Sequence, residues 1–187
     1  MKGIKMTNSG GLRLTMIREN LSNLPEAQLP SGYSIQWFEL GMEKDWVRIQ
    51  QKAETFLKID SEKYEKEFAD LRVELSQRQC FIRNSKGELV GTATAWFDSA
   101  FRGEGWGRVH WVAIIPEEQG KKLSNFLLLT VLQRIKQLNC QKAYLVTSSK
   151  RAVAIRLYSK FGFVPNTAAK EDLDAWNEYL EFSRKSI

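Results

Sequence analysis

Apolar residues recur at every third or fourth position over five stretches of the chain, a spacing that predicts amphipathic helices. The clearest case has Leu127, Leu128, Val131, Leu132 and Ile135 on one face. Another predicted helix begins where Asp60 or Ser61 can cap it. The predicted helices are Glu43–Glu54, Ser61–Ser76, Ser124–Asn139, Ala152–Phe161 (before Gly162) and Lys170–Phe182.

Shorter apolar or alternating stretches, bounded by turn residues, predict strands. Asn84–Gly87 reads as a turn, so the strands on either side of it form a hairpin. From Tyr33 onward the order is β-α-α-β-β-β-α-β-α-β, which indicates an α/β domain on a mixed sheet. The predicted strands are Leu12–Ile17, Tyr33–Phe38, Cys80–Arg83, Leu89–Phe97, Arg108–Ile115, Lys142–Thr147 and a last one that begins at Phe163–Pro165.

Composition narrows the class of protein. The chain has 187 residues, 43% hydrophobic and 27% charged, which suits one globular domain with a substantial core. It contains no apolar run of the roughly 18 residues that a membrane-spanning helix needs, and its first residues do not read as a secretion signal. Cys80 and Cys140 are far apart and lack the spacing of a metal or redox site. We therefore expect a cytoplasmic protein without a metal or a membrane contact.

The charge balance favours anionic partners. The net charge is +6 and the pI is about 9.3. Charge alone does not distinguish nucleic acid from a phosphorylated cofactor. The basic residues are spread along the chain rather than clustered, so we do not expect nucleic acid as a partner.

One segment has the form of a phosphate-binding device. The strand Arg108–Ile115 is followed by the turn Pro116–Asn125 and then by the most apolar helix. The first turn of a helix offers free N–H groups and a partial positive charge, and Gly120 allows a close backbone approach. The alternative is an ordinary strand-to-helix turn whose lysines are solvated.

A second segment, from Arg151 to Phe163, places Tyr158 in the later half of a helix, where it could equally be a core aromatic. The first segment reads Val-Ala-Ile-Ile-Pro-Glu-Glu-Gln-Gly-Lys-Lys-Leu-Ser from Val112, and the second reads Arg-x-x-Ala-x-x-Leu-Tyr-x-Lys-x-Gly-Phe from Arg151. In this order and context, the two segments resemble the signatures of the GNAT superfamily of N-acetyltransferases. Lys122 and Ser124 stand where the family usually has glycine, and Arg151 where it usually has asparagine.

The resemblance implies a GNAT-type α/β fold, with a mixed, mostly antiparallel sheet flanked by helices. It covers residues 31–165, which we take as the acetyltransferase domain. Residues 1–30 would then be an N-terminal extension, with a strand and an irregular connector, and residues 166–187 a C-terminal helical tail.

The resemblance also implies direct transfer of an acetyl group from acetyl-CoA to a primary amine of a small molecule or peptide. Tyr158 would lie near the sulfur and protonate the leaving thiolate, a role that suits a phenol. The strand would bind the pantetheine arm, and the turn would hold the pyrophosphate. The implied cofactor-binding residues are Val112, Ala113, Ile114, Gln119, Gly120, Lys121, Lys122, Leu123, Ser124, Asn125, Arg151 and Tyr158.

His110 is the only histidine of the chain and a candidate general base, because its ordinary pKa is about 6.5. Strand alternation predicts that it shares a face with Arg108, Val112 and Ile114. The alternative is a structural role in the sheet. Glu104 and Asp98 are fallback bases in the adjoining loop.

Several aromatic residues flank that loop and could line an acceptor site or belong to the core: Trp96, Phe97, Phe101, Trp106 and Trp111. Three other functions stay open at this point. They are a GNAT-fold protein that binds CoA without catalysis, acting as a sensor or interaction module, an enzyme of this fold with another acyl donor, and a nucleic-acid-binding domain. The sequence leaves both a monomer and a homodimer open.

Overall fold

A computed structural model describes residues 11–68, 72–97, 101–102 and 105–184. None of the helices in these ranges is long and apolar enough to cross a bilayer. The strands are β1 Arg13–Arg18, β2 Ser34–Trp37, β3 Gln79–Arg83, β4 Leu89–Phe97, β5 Trp106–Ile114, β6 Lys142–Ser148 and β7 Val164–Pro165. The helices are α1 Glu43–Ala53, α2 Ser61–Phe68, α3 Arg72–Arg78, α4 Leu123–Gln137, α5 Ala152–Lys160 and α6 Lys170–Arg184.

The seven strands form one sheet in the order β2-β3-β4-β5-β6-β1-β7. Neighbouring strands are antiparallel except for β5 and β6, which are parallel. The predicted α/β fold, with a mixed and mostly antiparallel sheet flanked by helices, is therefore confirmed. Within the region predicted as one helix from Ser61 to Ser76, the structure describes two, α2 and α3.

The N-terminal strand lies inside the sheet. β1 pairs with β6 along its whole length, from Arg13 opposite Ser148 to Arg18 opposite Ala143, and with β7 on its other side. Leu14 and Met16 of this strand are fully buried. Residues 1–30 therefore contribute a strand to the sheet of the domain that we placed at 31–165. The limits of that domain stay a prediction.

The C-terminal helix is tied to the same strand. The carboxylate of Asp172 in α6 accepts a hydrogen bond from the backbone N–H of Thr15, with an N–O distance of 2.6 Å. Its other oxygen accepts a bond from the Asn166 side chain at 3.1 Å. Both Asn166 and Asp172 are buried. Helix α6 thus packs on β1, although the two segments are remote in sequence.

Helices cover both faces of β5. On one face α4 sits directly on the strand, because a Cβ added at Gly107 would lie 2.3 Å from the side chain of Ile135. On the other face Trp46 of α1 packs edge-on against Trp111, with ring centroids 5.2 Å apart. Strand β5 is the central strand of the seven and is packed on both faces.

Candidate active site

Strands β5 and β6 separate part-way along the sheet. Their pairing runs only from Trp106 opposite Lys142 to Val109 opposite Leu145 among the described residues. Just beyond, Trp111 has a φ of 52°, and the register between β4 and β5 shifts there, as in a β-bulge. The side chain of Gln50 donates to the Trp111 carbonyl at 3.0 Å and holds the bulge. The backbone of β5 after Val109 therefore borders an open gap.

A cavity of about 660 Å³ lies along this gap and the following turn. Ten of the twelve residues predicted to bind cofactor line it: Val112, Ala113, Ile114, Gln119, Gly120, Lys122, Leu123, Ser124, Arg151 and Tyr158. Lys121 and Asn125 are not among its lining residues. The two signature segments, separated in sequence, thus meet around one cavity.

The Lys121 side chain instead belongs to a neighbouring cluster of polar side chains. Its ammonium lies 2.6 Å from the Glu118 carboxylate and 3.1 Å from the Tyr33 hydroxyl, which itself donates to Glu118. These contacts join the short 3-10 helix Pro116–Glu118 to the connector before β2. Lys121 therefore fixes the turn rather than reaching into the cavity.

The turn exposes the amides at the start of α4. Gly120 has a φ of 80° and Lys122 a φ of 62°, so Lys122 adopts the left-handed conformation that glycine favours. No side chain caps the helix, and its first turn holds no acidic residue. Free N–H groups and the helix dipole favour an anion at such a site. The residues present fit a pyrophosphate group.

A smaller cavity of about 260 Å³ continues from the first. The two share Val112, Arg151, Ala154 and Tyr158 among their lining residues. The small cavity is also lined by His110, and by Glu54 and Arg108. Both candidate catalytic residues, Tyr158 and His110, therefore line one space.

The phenol of Tyr158 lines both cavities. Burial raises the pKa of its phenol above the ordinary value of 10, while the nearby Arg151 guanidinium opposes that shift. The hydroxyl makes no hydrogen bond to any described residue, and the ring packs edge-on near Phe163, with centroids 6.2 Å apart. The phenol is therefore protonated at neutral pH and available to a bound group.

His110 is held by a buried carboxylate. Its Nε2 lies 2.9 Å from Glu67 of α2, which also accepts bonds from Trp111 and Lys63. Burial by itself raises the pKa of Glu67, but the hydrogen bonds from His110, Lys63 and Trp111 together lower it. Because the carboxylate is ionised, it holds the imidazole proton on Nε2 and leaves Nδ1 as the acceptor.

The imidazole is a weaker base than its ordinary pKa suggests. Burial lowers the pKa of His110 to about 4, and the hydrogen bond that His110 donates to Glu67 only partly opposes this effect. The expectation of a pKa near 6.5 is wrong for this reason. His110 is neutral at pH 7, as a proton acceptor must be.

The predicted alternation along β5 is also wrong beyond His110. The Ile114 side chain lies over Gly91, on the side where Leu127 of α4 also approaches that glycine, whereas His110 contacts Glu67 of α2. The extra residue of the bulge at Trp111 shifts the alternation of side chains by one position. Strand periodicity could not show this shift, since a bulge leaves no period of its own.

Sequence reasoning missed two carboxylates at the site. The Glu54 side chain is 4% exposed and lies 2.6 Å from the Arg151 guanidinium. The other is Glu67, which pairs with His110 at 2.9 Å. The spacing of Lys63 and Glu67 does indicate an ion pair on a helix, but nothing in the sequence connects either carboxylate to a residue far along the chain. The fallback bases Asp98 and Glu104 lie outside the described residues.

Most of the aromatic residues proposed for the acceptor site pack elsewhere. Trp111 lines the small cavity. Trp106 is buried in a separate cluster with Phe101 and Tyr144. Trp96 stacks beside His110, with centroids 6.3 Å apart. Core packing therefore accounts for Trp106 and Trp96.

Known proteins share this architecture. A GCN5-related N-acetyltransferase from Sphaerobacter thermophilus is 18% identical with a TM-score of 0.69, over 82% of this chain and 48% of its own. A putative GNAT-family acetyltransferase from Novosphingobium aromaticivorans is 18% identical with a TM-score of 0.58, over 82% of this chain and 59% of its own. The ribosomal-protein-S18-alanine N-acetyltransferase of Escherichia coli is 20% identical with a TM-score of 0.57, over 71% of this chain and 77% of its own.

At these identities the structural likenesses show the fold alone, and the chain spans about half the length of the Sphaerobacter protein. No curated protein sequence matches significantly. The family model for the acetyltransferase (GNAT) family matches residues 42–163, which hold α1, β5, the turn and Tyr158. With that match over most of the chain, and with the separated strands, the uncapped helix and the tyrosine around one cavity, the chain belongs to the GNAT family of acetyltransferases.

Proposed function

We propose that this protein transfers an acetyl group from acetyl-CoA directly to a primary amine of a small molecule or peptide. The observation that carries the proposal is the gap between β5 and β6. It opens after Val109 and leads from the uncapped start of α4 to Tyr158. A gap bordered by unpaired strand backbone suits an extended arm that ends in a thioester.

The residues have separate tasks in this proposal. The backbone of Val112–Ile114 binds the pantetheine arm, and the amides of Gly120–Ser124 bind the pyrophosphate. Bound acetyl-CoA supplies an activated acyl carbon and a thiolate leaving group. Arg151, paired with Glu54, lines both cavities and fixes their junction.

Proton transfer falls to the two residues that line the small cavity. The attacking amine must be neutral, and the Nδ1 atom of His110 can accept its proton directly or through a water. Tyr158 donates its phenolic proton as the thiolate leaves. With a pKa of about 4, His110 is a weak base, so its contribution depends on Glu67 stabilising the imidazolium as it forms.

The proposal is tested by following binding and turnover separately. Acetyl-CoA should raise the melting temperature and slow amide exchange at the turn Gly120–Ser124. Adding members of an amine panel should then release free thiol at a rate above the amine-free background. Stabilisation without amine-stimulated release would instead support a CoA-binding sensor or interaction module.

Two controls address the other open functions. Longer and acidic acyl-CoA thioesters, assayed in parallel, show whether acetyl is the preferred donor. A nucleic-acid-binding domain would bind DNA or RNA in a strongly salt-dependent way that CoA does not displace. Absence of any coenzyme-induced stabilisation would overturn the acetyltransferase proposal.

We also propose that the protein works in the cytoplasm. Both cysteines are free thiols, and burial raises the pKa of Cys80 to about 12, which keeps it unreactive. This arrangement suits a reducing compartment.

A further inference from the structure

Arg108 is a half-buried cation that has no counter-ion among the described residues. It lines the small cavity, and its Nε atom is buried without a hydrogen-bond partner. Among the described residues, none forms an ion pair or a hydrogen bond with this guanidinium. Its guanidinium carbon lies 5.9 Å from the centroid of the Tyr144 ring. Burying a charge in this way is costly unless a ligand completes the site.

The other charged groups that the structure describes around the small cavity leave this positive charge uncompensated. The Glu54 carboxylate forms an ion pair with the Arg151 guanidinium, with an N–O distance of 2.6 Å. His110 is neutral at pH 7, and Glu67 behind it is matched by Lys63 at 2.7 Å. The described walls of the small cavity therefore carry one excess positive charge, at Arg108.

The size of the cavity limits what can enter. Its volume of about 260 Å³ is below the roughly 300 Å³ at which drug-sized sites begin. A molecule of amino-acid size fits there. Arg108 lies two residues before His110 on β5, so an acidic group on Arg108 and an amine near His110 are within the reach of one small molecule.

We propose that the acceptor is a small amine that also carries an acidic group, a carboxylate or a phosphate, which Arg108 binds. A guanidinium forms paired, charge-assisted hydrogen bonds with either group. This inference rests on the proposed acetyl transfer and adds the class of acceptor. Arg108 is accordingly a specificity-determining residue of the small cavity.

The test compares acceptors that differ only in the acidic group. A panel of α-amino acids is assayed against the corresponding carboxamides, and phosphoethanolamine against ethanolamine, by thiol release from acetyl-CoA. Losing one charged hydrogen-bond pair reduces kcat/KM by about 10- to 100-fold. We expect the acidic member of at least one pair to be favoured by that factor, and the pair that responds identifies the acid as carboxylate or phosphate.

Variants assign the preference to Arg108. Arg108→Gln should abolish it, and Arg108→Lys should retain part of it, because lysine keeps the charge but not the paired geometry. Arg156→Gln is the matched control, since Arg156 is exposed on α5 and lines neither cavity. Neutral acceptors used as well as acidic ones by the native protein, or a preference that survives Arg108→Gln, would overturn the inference. The native comparison decides the matter even if Arg108→Gln fails to fold.

A binding measurement separates this inference from the proposed reaction. N-acetyl amino acids and N-acetylphosphoethanolamine, the products of the expected transfer, are titrated calorimetrically against native protein, Arg108→Gln and Arg156→Gln. Binding that Arg108→Gln alone weakens by about 10-fold or more supports an acid-binding cavity even if no thiol is released. Equal binding by native protein and Arg108→Gln contradicts it, whatever the result with acetyl-CoA.

Discussion

Lys122 holds a backbone conformation that costs a non-glycine residue free energy. Its φ of 62° and ψ of 13° lie in the left-handed region, which disfavours side chains by roughly 1–2 kcal/mol. We expect Lys122→Gly to raise the free energy of unfolding by about 1 kcal/mol, because glycine adopts this conformation without a Cβ clash. Urea denaturation measures the change.

The neighbouring Gly120 supplies the converse variant. It has a φ of 80°, and a Cβ added there would meet no atom within 4 Å. Gly120→Ala should therefore lower the free energy of unfolding by about 1 kcal/mol through backbone strain alone. If Lys122→Gly also lowered the free energy of unfolding, the left-handed conformation of Lys122 would not carry the strain that glycine is expected to relieve.

Tyr158 should affect turnover rather than cofactor binding. Tyr158→Phe removes only the hydroxyl, so we expect kcat to fall by about 10²- to 10⁴-fold, the usual contribution of a general acid, with little change in the KM for acetyl-CoA. Tyr179→Phe is a matched control on α6, outside both cavities. An unchanged kcat in Tyr158→Phe would rule out the acid role.

The pKa of His110 sets the pH at which the pH–rate profile is expected to bend. A base whose pKa is lowered to about 4 stays neutral through the weakly acidic range, so the acidic limb that it causes should lie near pH 4. His110→Ala should remove that limb. A limb between pH 6 and 7 that persists in His110→Ala would identify another base.

At the scale of single residues, the sequence motifs predicted most of the cofactor cavity but little of the small one. Gly120 and Tyr158 belong to local signatures, so their positions could be inferred. The pKa of His110 depends on burial by α2, and the isolation of Arg108 depends on which carboxylates already have partners. Both are properties of the packed protein.

At the scale of elements, the sequence predicts where β1 lies along the chain but not where it lies in the sheet. Its strand was predicted at Leu12–Ile17 and found at Arg13–Arg18. Its position between β6 and β7 follows from pairings with residues far along the chain, which hydrophobic periodicity does not report. The end of α5 can be predicted from the sequence, because Gly162, with a φ of 74°, is a local signal that ends a helix.

Removing β1 should unfold the domain. A chain that begins at residue 31 lacks the strand that β6, β7 and α6 all contact. It also leaves the buried Asp172 carboxylate without the hydrogen bond that the Thr15 N–H donates to it. We expect residues 31–187 to show no cooperative thermal transition by circular dichroism. Adding a peptide of residues 11–24 should restore part of the transition.

The matched comparison for this truncation begins the chain at residue 11, which keeps β1. The melting temperature of residues 11–187 is the reference against which the loss of β1 is measured. A cooperative transition from residues 31–187 alone would show that the predicted N-terminal limit of the domain, residue 31, is sufficient and that β1 is dispensable.

At the scale of the whole molecule, acid should destabilise the protein earlier than carboxylate protonation alone would. The folded protein keeps His110 neutral down to a pKa of about 4, whereas the unfolded chain binds a proton near pH 6.5. Stability is therefore lost as the pH falls from 6.5 toward 4, with a slope of up to about 1.4 kcal/mol per pH unit. The lowered pKa of Glu67 extends the loss to lower pH.

Urea denaturation at pH 6.5, 5.5 and 4.5 measures this slope. The assignment is direct because the chain has one histidine, and no other side chain has an ordinary pKa in the upper part of this range. In His110→Gln the slope between pH 6.5 and 5.5 should nearly vanish. An unchanged slope in that variant would show that His110 titrates alike in the folded and unfolded states.

The placement of β1 also bears on how the chain reaches its native state on the ribosome. Leu12, directly before β1, donates its amide N–H to the Ser149 hydroxyl, 137 positions later, and β1 itself pairs with β6. Strand β1 therefore emerges long before its partner has been translated. The growing polypeptide must keep an apolar strand unpaired until most of the protein has been synthesised. During this interval, a nascent chain whose first strand pairs with a late one is most exposed to aggregation and most dependent on chaperones.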